Sequence, residues 1–241
     1  RGPVSIKELK AGDTIYTTDL NSFDIVNQRV KALVYQGNRE AFRLVTTNHR
    51  EIEATENHPF LVMRSSEFLG SRFLSWQPLK NLKVGDWIGI ANELPDDGTP
   101  FDVDFVYDER ALKQKPVLPR TSTKELMWLL GLYLGDGYME RSKAGRPNRV
   151  YFAVPPQDRA TKNLEAVLGG NFKIQQRSKG ICVTIGSCAF AEFIIHLGFE
   201  GTARTKTIPS WVFALPKDQK LAFIEGYLDA DGYTRKSKVK N

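Results

Sequence analysis

Two aspartates occupy the same place in two similar segments of the chain. Asp136 ends the run LLGLYLGD and Asp231 ends the run IEGYLDAD, and a glycine follows each. Two carboxylates at helix C-termini repel each other and the local partial charge unless a cation lies between them. Mg²⁺ binds carboxylate and phosphate oxygens readily, and metal ions held this way serve in phosphodiester hydrolysis. The pair therefore predicts a Mg²⁺ site at Asp136 and Asp231 that faces a nucleic acid backbone.

Small residues in the same two segments indicate how the carboxylates are brought together. Gly131 and Gly226 lie in the middle of the two expected helices, where glycine costs about 1 kcal/mol relative to alanine. Gly135 and Ala230 follow them four residues later, on the same helix face. This spacing predicts two helices packed closely side by side, with their C-terminal ends adjacent.

The region that carries these helices, residues 121–241, has a mixed pattern. Thr123 is the expected N-cap of the first helix. Two hairpins, a helix between them and two further helices follow, in the order α-ββ-α-ββ-α-α. This order predicts an α+β domain built on an antiparallel sheet.

Residues 1–95 follow a different pattern, with short β-branched and aromatic segments separated by turn residues, and predict a mostly β domain. The sequence SIKELKAGDTI near its start resembles PLKNLKVGDWI near its end. Two copies of Leu-Lys-x-Gly-Asp before a strand indicate pseudo-symmetric halves. Residues 96–120 are rich in proline and charge and are expected to be a linker.

The charge distribution favours a polyanionic partner for the second half. The net charge is +6 overall; residues 1–100 contribute 12 basic and 13 acidic side chains, and residues 101–241 contribute 22 and 15. Strands that carry Arg and Gln are expected to read bases in the major groove while Lys contacts phosphates. The residues expected to contact double-stranded DNA flank the two hairpins: Arg141, Lys143, Arg146, Arg149, Lys173, Gln175, Arg177 and Lys179.

The remaining composition excludes several classes of protein. The chain has 41% hydrophobic residues and two cysteines, Cys182 and Cys188, which is too few for a disulfide scaffold and a poor zinc pattern. No apolar run approaches the roughly 20 residues of a membrane span, and the N-terminal segment lacks the apolar core of a signal peptide. We expect an intracellular, cytoplasmic protein.

The paired segments resemble the two signature helices of the LAGLIDADG homing endonucleases. The second copy keeps Asp-Ala-Asp-Gly, whereas Leu134 and Gly135 stand in place of Asp-Ala in the first. The resemblance implies metal-binding and catalytic roles for Asp136 and Asp231. The stretch TKTIP is similar to a block of intein-embedded endonucleases, and this implies a charge-stabilising catalytic role for Lys206.

The segment TENHPFLV resembles the Thr-x-x-His block of the Hint splicing domain. There, Thr55 would polarise the scissile peptide and His58 would protonate its leaving amine. Together the two resemblances identify the chain as similar to an intein: a Hint domain over 1–95 followed by a LAGLIDADG-type domain over 121–241, an antiparallel sheet saddle with paired helices. They imply flanking host-protein segments (exteins) and double-stranded DNA as partners, Mg²⁺ as cofactor, and a monomer.

The function implied is protein splicing combined with site-specific, metal-dependent cutting of double-stranded DNA. The chain opens Arg1-Gly2-Pro3, without the Cys or Ser with which an intein starts. We therefore expect a piece truncated at both ends, which neither splices nor cuts alone. Two alternatives stay open: a LAGLIDADG-type DNA- or RNA-binding protein without catalysis, and a free-standing self-cleaving Hint processing domain.

Overall fold

A computed structural model describes residues 3–19, 21–65, 72–91, 94–107, 118–154, 163, 173–177 and 180–232. The chain divides into two compact units. Residues 6–95 form the β unit, and residues 1–5 with 96–241 form the mixed unit.

Among its described residues, the β unit contains three small antiparallel sheets. Strands β1 (Thr14–Thr18) and β2 (Ile25–Arg29) form one sheet, and β3 (Ala41–Val45) and β4 (Glu51–Thr55) form another. The third places β5 (Pro59–Ser65) between β6 (Arg72–Pro78) and β7 (Trp87–Ile88).

The repeated Leu-Lys-x-Gly-Asp sequence forms the same turn twice. A single 3₁₀ turn, Ile6–Glu8 or Leu79–Asn81, precedes each copy. Gly12 and Gly85 both adopt left-handed backbone, with φ of 93° and 98°. Asp13 then accepts a hydrogen bond from the backbone of Lys10, at 2.8 Å. In the second copy, Asp86 accepts the equivalent bond from Lys83. Glycine is needed for the backbone and aspartate closes the turn, which explains the repeated pair.

Few apolar side chains of the β unit are removed from solvent. Among the described residues of this unit, Val62 on the central strand β5 is the single buried hydrophobic residue. Large apolar side chains such as Ile52, Phe73 and Trp87 are 44%, 50% and 74% exposed. Hydrogen-bonded ladders and turns therefore hold this unit together more than a core does.

The mixed unit contains three helices and one four-stranded sheet among its described residues. Helix α1 is Lys124–Asp136, α2 is Cys188–His196 and α3 is Lys217–Asp231. Strands β8 (Gly137–Arg141), β9 (Pro147–Val154), β10 (Lys173–Arg177) and β11 (Gly180–Ile185) form an antiparallel sheet in the order β10-β11-β9-β8. Thr123 caps α1, as predicted: its side chain accepts from the backbone of Leu126.

Strand alternation gives the sheet one buried and one outward face. Val150, Phe152, Val183 and Ile185 are buried and point toward the helices. The intervening positions therefore lie on the outward face. There, Tyr138 pairs with Tyr151 across β8 and β9, Glu140 pairs with Arg149, and a bulge follows at Glu140/Arg141.

The core of the mixed unit is continuous. Helix α1 supplies eight buried residues, from Leu126 to Tyr133. The segment expected to be a linker contributes to this core as well, because Val103 is 7% exposed and Gly98 lies against the backbone of Leu215. The predicted boundaries at 95 and 120 otherwise stay predictions.

Along the chain, small β sheets come first, and an α+β unit with an antiparallel sheet and paired helices follows. The assignment of these two units to the Hint and LAGLIDADG folds remains a prediction. The helix expected over residues 156–170 lies outside the described residues, apart from residue 163. No helix in the described part of the chain is long and apolar enough to cross a membrane.

Candidate functional site

Helices α1 and α3 pack with their backbones almost in contact. A methyl group on Gly131 would overlap the carbonyl oxygen of Phe223, and one on Gly226 would overlap that of Trp128. A methyl group on Gly135 would lie 2.6 Å from Cβ of Ala230. The predicted close packing of the two helices is confirmed, and the glycines are required because no larger side chain fits at these crossings.

A hydrogen bond between side chains ties the same two helices together. The indole Nε1 of Trp128 donates to Oδ2 of Asp229 at 2.8 Å. Trp128 is 3% exposed, so its indole N–H needs this partner. The first aspartate of Asp-Ala-Asp-Gly therefore contacts the neighbouring helix, two residues before the second aspartate.

The packing brings the two predicted metal-binding carboxylates into electrostatic contact. Asp136 ends α1, Asp231 ends α3, and Cβ of a residue replacing Gly135 would lie 3.6 Å from Oδ2 of Asp231. Burial raises the pKa of Asp136, the negative charge of Asp231 raises it further, and Lys206 opposes both. Two carboxylates whose charges disfavour each other form a donor set that a hard divalent cation stabilises.

Lys206 lies against the end of α1. Its Nζ donates to the carbonyl oxygens of Tyr133, at 2.5 Å, and Gly137, at 2.9 Å. The same ammonium lies 4.7 Å from the centre of the Tyr133 ring. Burial lowers the pKa of Lys206, while Asp136 and Asp231 raise it. Lys206 thus caps the helix that carries Asp136 and supplies positive charge beside both carboxylates.

The loop before Lys206 holds it in place. Lys206 donates its backbone N–H to the carbonyl of Thr202, and Thr205 Oγ1 accepts from the backbone of Thr202 at 2.8 Å. The Thr-Lys-Thr-Ile-Pro stretch therefore begins in a closed turn whose lysine reaches the C-terminus of α1.

Asp136 directly precedes the sheet, because α1 ends there and β8 begins at Gly137. Of the predicted DNA contacts, two already pair with carboxylates. Arg141 contacts Glu200 and also donates to the carbonyl of Gly145. Arg149 lies 3.7 Å from Glu140. Asp136 thus adjoins the basic hairpin β8–β9 along the chain, and Asp231 lies in the same unit.

The other predicted contacts are placed along the sheet. Lys143 is exposed and Arg146 lies in the same turn between β8 and β9, while Lys173 is exposed at the start of β10. The backbone pairs Gln175 with Cys182 and Arg177 with Gly180. Lys179 lies outside the described residues. The DNA contacts at these positions remain predictions.

Thr55 and His58 lie in the β unit, at the turn from β4 to β5. Thr55 Oγ1 donates to Oδ1 of Asn57 at 2.6 Å, and the backbone of His58 donates to the carbonyl of Thr55 at 3.0 Å. The His58 ring is exposed and meets Phe60 edge-on, with centroids 5.2 Å apart. These contacts account for the Thr-x-x-His pattern as a turn, and the catalytic roles stay predictions.

Sequence reasoning missed several partners of these residues. Tyr133 under Lys206, Glu200 beside Arg141, and the hydroxyl of Tyr151, which donates to Glu140 at 2.5 Å, were not singled out. The alternation of β8 and β9 was the signal that could have found Glu140 and Tyr151. Glu200 lies too far along the chain for any local pattern to indicate it.

The chain is similar to segments of longer proteins. It is 32% identical over 241 residues to the iron-sulfur cluster assembly SufBD family protein ML0593 of Mycobacterium leprae, covering 98% of this chain and 27% of that protein. It is 24% identical to a DNA gyrase subunit of Mycobacterium gordonae, over 83% of this chain and 33% of that protein. It is 25% identical to the tRNA-splicing ligase RtcB of Pyrococcus furiosus, over 80% of this chain and 22% of that protein. No family model matches the chain. The chain thus spans a third or less of each of these relatives.

These names contradict the identification drawn from the motifs. The relative that is 32% identical over almost the whole chain is named as a SufBD family protein, and none of the three carries the name of an intein or a homing endonuclease. We therefore correct the identification as an intein with an inserted LAGLIDADG endonuclease, the splicing and metal-dependent DNA-cutting activities, and the family assignments of both alternatives. The motifs that suggested this identification also have structural roles: glycines allow the helices to cross closely, Asp-Gly ends the helices, and Thr-x-x-His forms a hydrogen-bonded turn.

Proposed function

We propose that the mixed unit binds double-stranded DNA on the outward face of its sheet and holds Mg²⁺ between Asp136, Asp231 and the DNA phosphates. The observation that carries this proposal is continuity: the helix that ends in Asp136 leads without a break into β8, the first strand of the basic hairpin. DNA lying on the hairpin would bring its backbone to the carboxylate pair.

The donor set suits Mg²⁺ rather than a metal enclosed by protein ligands. In the part of the chain that the structure describes, no group of three or more His, Cys, Asp and Glu side chains could hold a metal ion. Mg²⁺ keeps several waters and is commonly bound by one or two carboxylates together with phosphate oxygens. Two adjacent carboxylates, one with its pKa raised by burial and by the charge of the other, are therefore a site that DNA would complete.

The shape and charge of the sheet favour duplex DNA as the partner. A two-stranded antiparallel ribbon fits the major groove, where arginine side chains reach base edges. The turn of the ribbon carries Lys143 and Arg146, and β9 carries Arg149. Residues 101–241 hold seven more basic than acidic side chains, which supplies the attraction for a polyanion.

The test is fluorescence anisotropy with a labelled duplex at several salt concentrations. The change Lys143→Gln, Arg146→Gln and Arg149→Gln should weaken binding and reduce the slope of log affinity against log salt by about 0.9 for each phosphate that is no longer neutralised. The matched control, Arg29→Gln, Lys31→Gln and Arg39→Gln, makes the same charge change on residues of the β unit. Equal losses in both triple variants, or no binding by the wild type, would overturn the proposal.

We further propose that this segment is a module carried between the flanking parts of longer host proteins. Its relatives are named for cluster assembly, gyrase and ligase functions, yet the shared segment occupies only 22% to 33% of their lengths. One shared segment does not by itself account for three different named activities. We place the module in the cytoplasm as a monomer on DNA.

A second candidate function is suggested by the SufBD relative, whose name concerns iron-sulfur cluster assembly. Iron-sulfur clusters are usually held by several cysteine thiolates, and this chain has Cys182 and Cys188. Cys182 is in β11 and Cys188 begins α2. Anaerobic reconstitution with iron and sulfide tests this: a cluster absorbance that disappears in Cys182→Ser and Cys188→Ser would support it, and none in the wild type would remove it.

A further inference from the structure

Three side chains on the outward face of β8 and β9 form one group, joined by a hydrogen bond and an ion pair. Tyr151 donates its hydroxyl to Oε2 of Glu140 at 2.5 Å, and Nη1 of Arg149 lies 3.7 Å from the same oxygen. Glu140 and Arg149 are directly opposite each other across the two strands. A carboxylate thus lies in the middle of a hairpin that is otherwise basic.

An acidic side chain is unexpected on a surface that only attracts phosphate. A carboxylate beside an arginine neutralises its charge and repels the DNA backbone, which reduces non-specific affinity. The same carboxylate restricts the conformations of the guanidinium. A guanidinium has five N–H donors, and one interaction at Nη1 leaves an edge for a further acceptor. The arrangement reduces the general attraction for DNA phosphates and restricts the orientation of the Arg149 guanidinium.

We propose that Arg149, oriented by Glu140 and Tyr151, reads a guanine in the major groove and is the specificity-determining residue of this hairpin. The inference rests on the proposed binding of duplex DNA by the sheet. Bidentate contact from arginine to O6 and N7 of guanine is the commonest specific contact in the major groove. Glu140 and Tyr151 are positioning residues, and the exposed Lys143 in the turn acts on phosphate.

The neighbouring ring supports a fixed geometry. Tyr138 lies opposite Tyr151 across the strands, with ring centroids 6.1 Å apart. Tyr151 is therefore held by a ring on one side and by its hydroxyl at Glu140. A side chain fixed at both ends holds Glu140 in one position, and Glu140 in turn holds Arg149.

Selection from a pool of random duplexes, followed by sequencing, tests the inference on the full chain. Wild type should enrich guanine at one position by about 5- to 100-fold, the range of one good bidentate contact. Arg149→Lys keeps the charge but loses the planar fork, so that preference should disappear while affinity for unselected duplex stays within about threefold. Glu140→Gln should increase affinity for unselected duplex and weaken the guanine preference. Tyr151→Phe should weaken the preference alone.

Lys143→Gln is the matched control, and it should lower affinity for all sequences and leave the guanine preference unchanged. If Arg149→Lys keeps every base preference, or if wild type binds duplex without enriching any sequence, the inference is overturned while the proposed DNA binding stands. If wild type binds no duplex, both fail. Circular dichroism of each variant would show that the substitutions leave the fold intact.

Discussion

The β unit and the mixed unit of this chain are stabilised in different ways. The mixed unit buries a continuous core in which Leu129, Phe152 and Phe193 are fully inaccessible, whereas the described part of the β unit buries Val62. The β unit relies instead on ladders and on the repeated Gly-Asp turn. The carboxylate pair lies in the unit with the larger core. A site that needs two backbones in contact requires packing that only such a core supplies.

The largest effect is expected where the two helix backbones meet. Gly226→Leu would force a side chain into the carbonyl of Trp128, and we expect a loss of about 3 kcal/mol or more of unfolding free energy. Gly186→Ala is the control, because nothing lies within 4 Å of the added methyl group. Urea denaturation measures both. A small loss for Gly226→Leu would show that the helices are not packed this closely.

Truncation of an apolar side chain should cost more stability in the mixed unit than in the β unit. Leu129 is 0% exposed, and Leu129→Ala should cost about 2–5 kcal/mol. Ile52 in the β unit is 44% exposed, and Ile52→Ala should cost about 0.5 kcal/mol or less. Amide hydrogen exchange should accordingly show β3 and β4 opening at lower free energy than α1. Equal protection in both units would contradict the comparison.

The two copies of the Gly-Asp turn provide a matched pair within the β unit. Asp86 accepts from the backbone of Lys83 and also forms an ion pair with Arg64 at 2.9 Å, where its side chain is 17% exposed. Asp13 makes the equivalent backbone hydrogen bond with Lys10. Asp86→Ala should therefore cost about 1 kcal/mol more than Asp13→Ala. Thermal denaturation measures the difference, and a larger loss for Asp13→Ala would contradict it.

The smallest expected effect is a pH dependence at the carboxylate pair. The pKa of Asp136 is raised by burial and by Asp231, so folding favours its protonated form and opposes its charge at neutral pH. Without Mg²⁺, Asp136→Asn should slightly raise Tm at pH 7. This gain should disappear as pH falls through the raised pKa toward 3.8, because the wild-type carboxyl becomes neutral.

Asp218, near the start of α3, serves as a control because its pKa is shifted in the opposite direction. Its hydrogen bond with Lys124 lowers its pKa, so its contribution is present at neutral pH and is lost as pH falls. Asp218→Asn should therefore leave Tm unchanged or lower it at pH 7. A lower Tm for Asp136→Asn at that pH would contradict the assigned electrostatics.

Much of the mixed unit could be predicted from sequence, and less of the β unit. Local sequence patterns predict several features of this unit, because each depends on spacing within one segment. These features are the Thr123 cap, the helix ends at Asp136 and Asp231, and the glycines at the helix crossings. In the β unit the repeated Gly-Asp turn is such a local pattern, but strand limits depend on pairing between distant segments. Lys206 was selected by resemblance, but its hydrogen bond to the carbonyl of Tyr133 joins residues far apart in sequence.

The identification from motifs exceeded what local patterns support. Asp-Gly after a helix and Thr-x-x-His in a turn each have a structural explanation here, so their presence does not fix an activity. What the sequence did indicate was the juxtaposition of two helix ends. Under the proposed function, the chemistry of that juxtaposition depends on the phosphate oxygens of bound DNA.

Calorimetric titration of Mg²⁺ into the complex of the full chain with duplex DNA tests the central claim most directly. Wild type and Asp218→Asn should both give a saturable binding isotherm. After the heat of Mg²⁺ binding to the free duplex is subtracted, the double variant Asp136→Asn and Asp231→Asn should still bind duplex but give no remaining isotherm. Undiminished Mg²⁺ binding by the double variant would contradict the account, because the cation would then be held elsewhere.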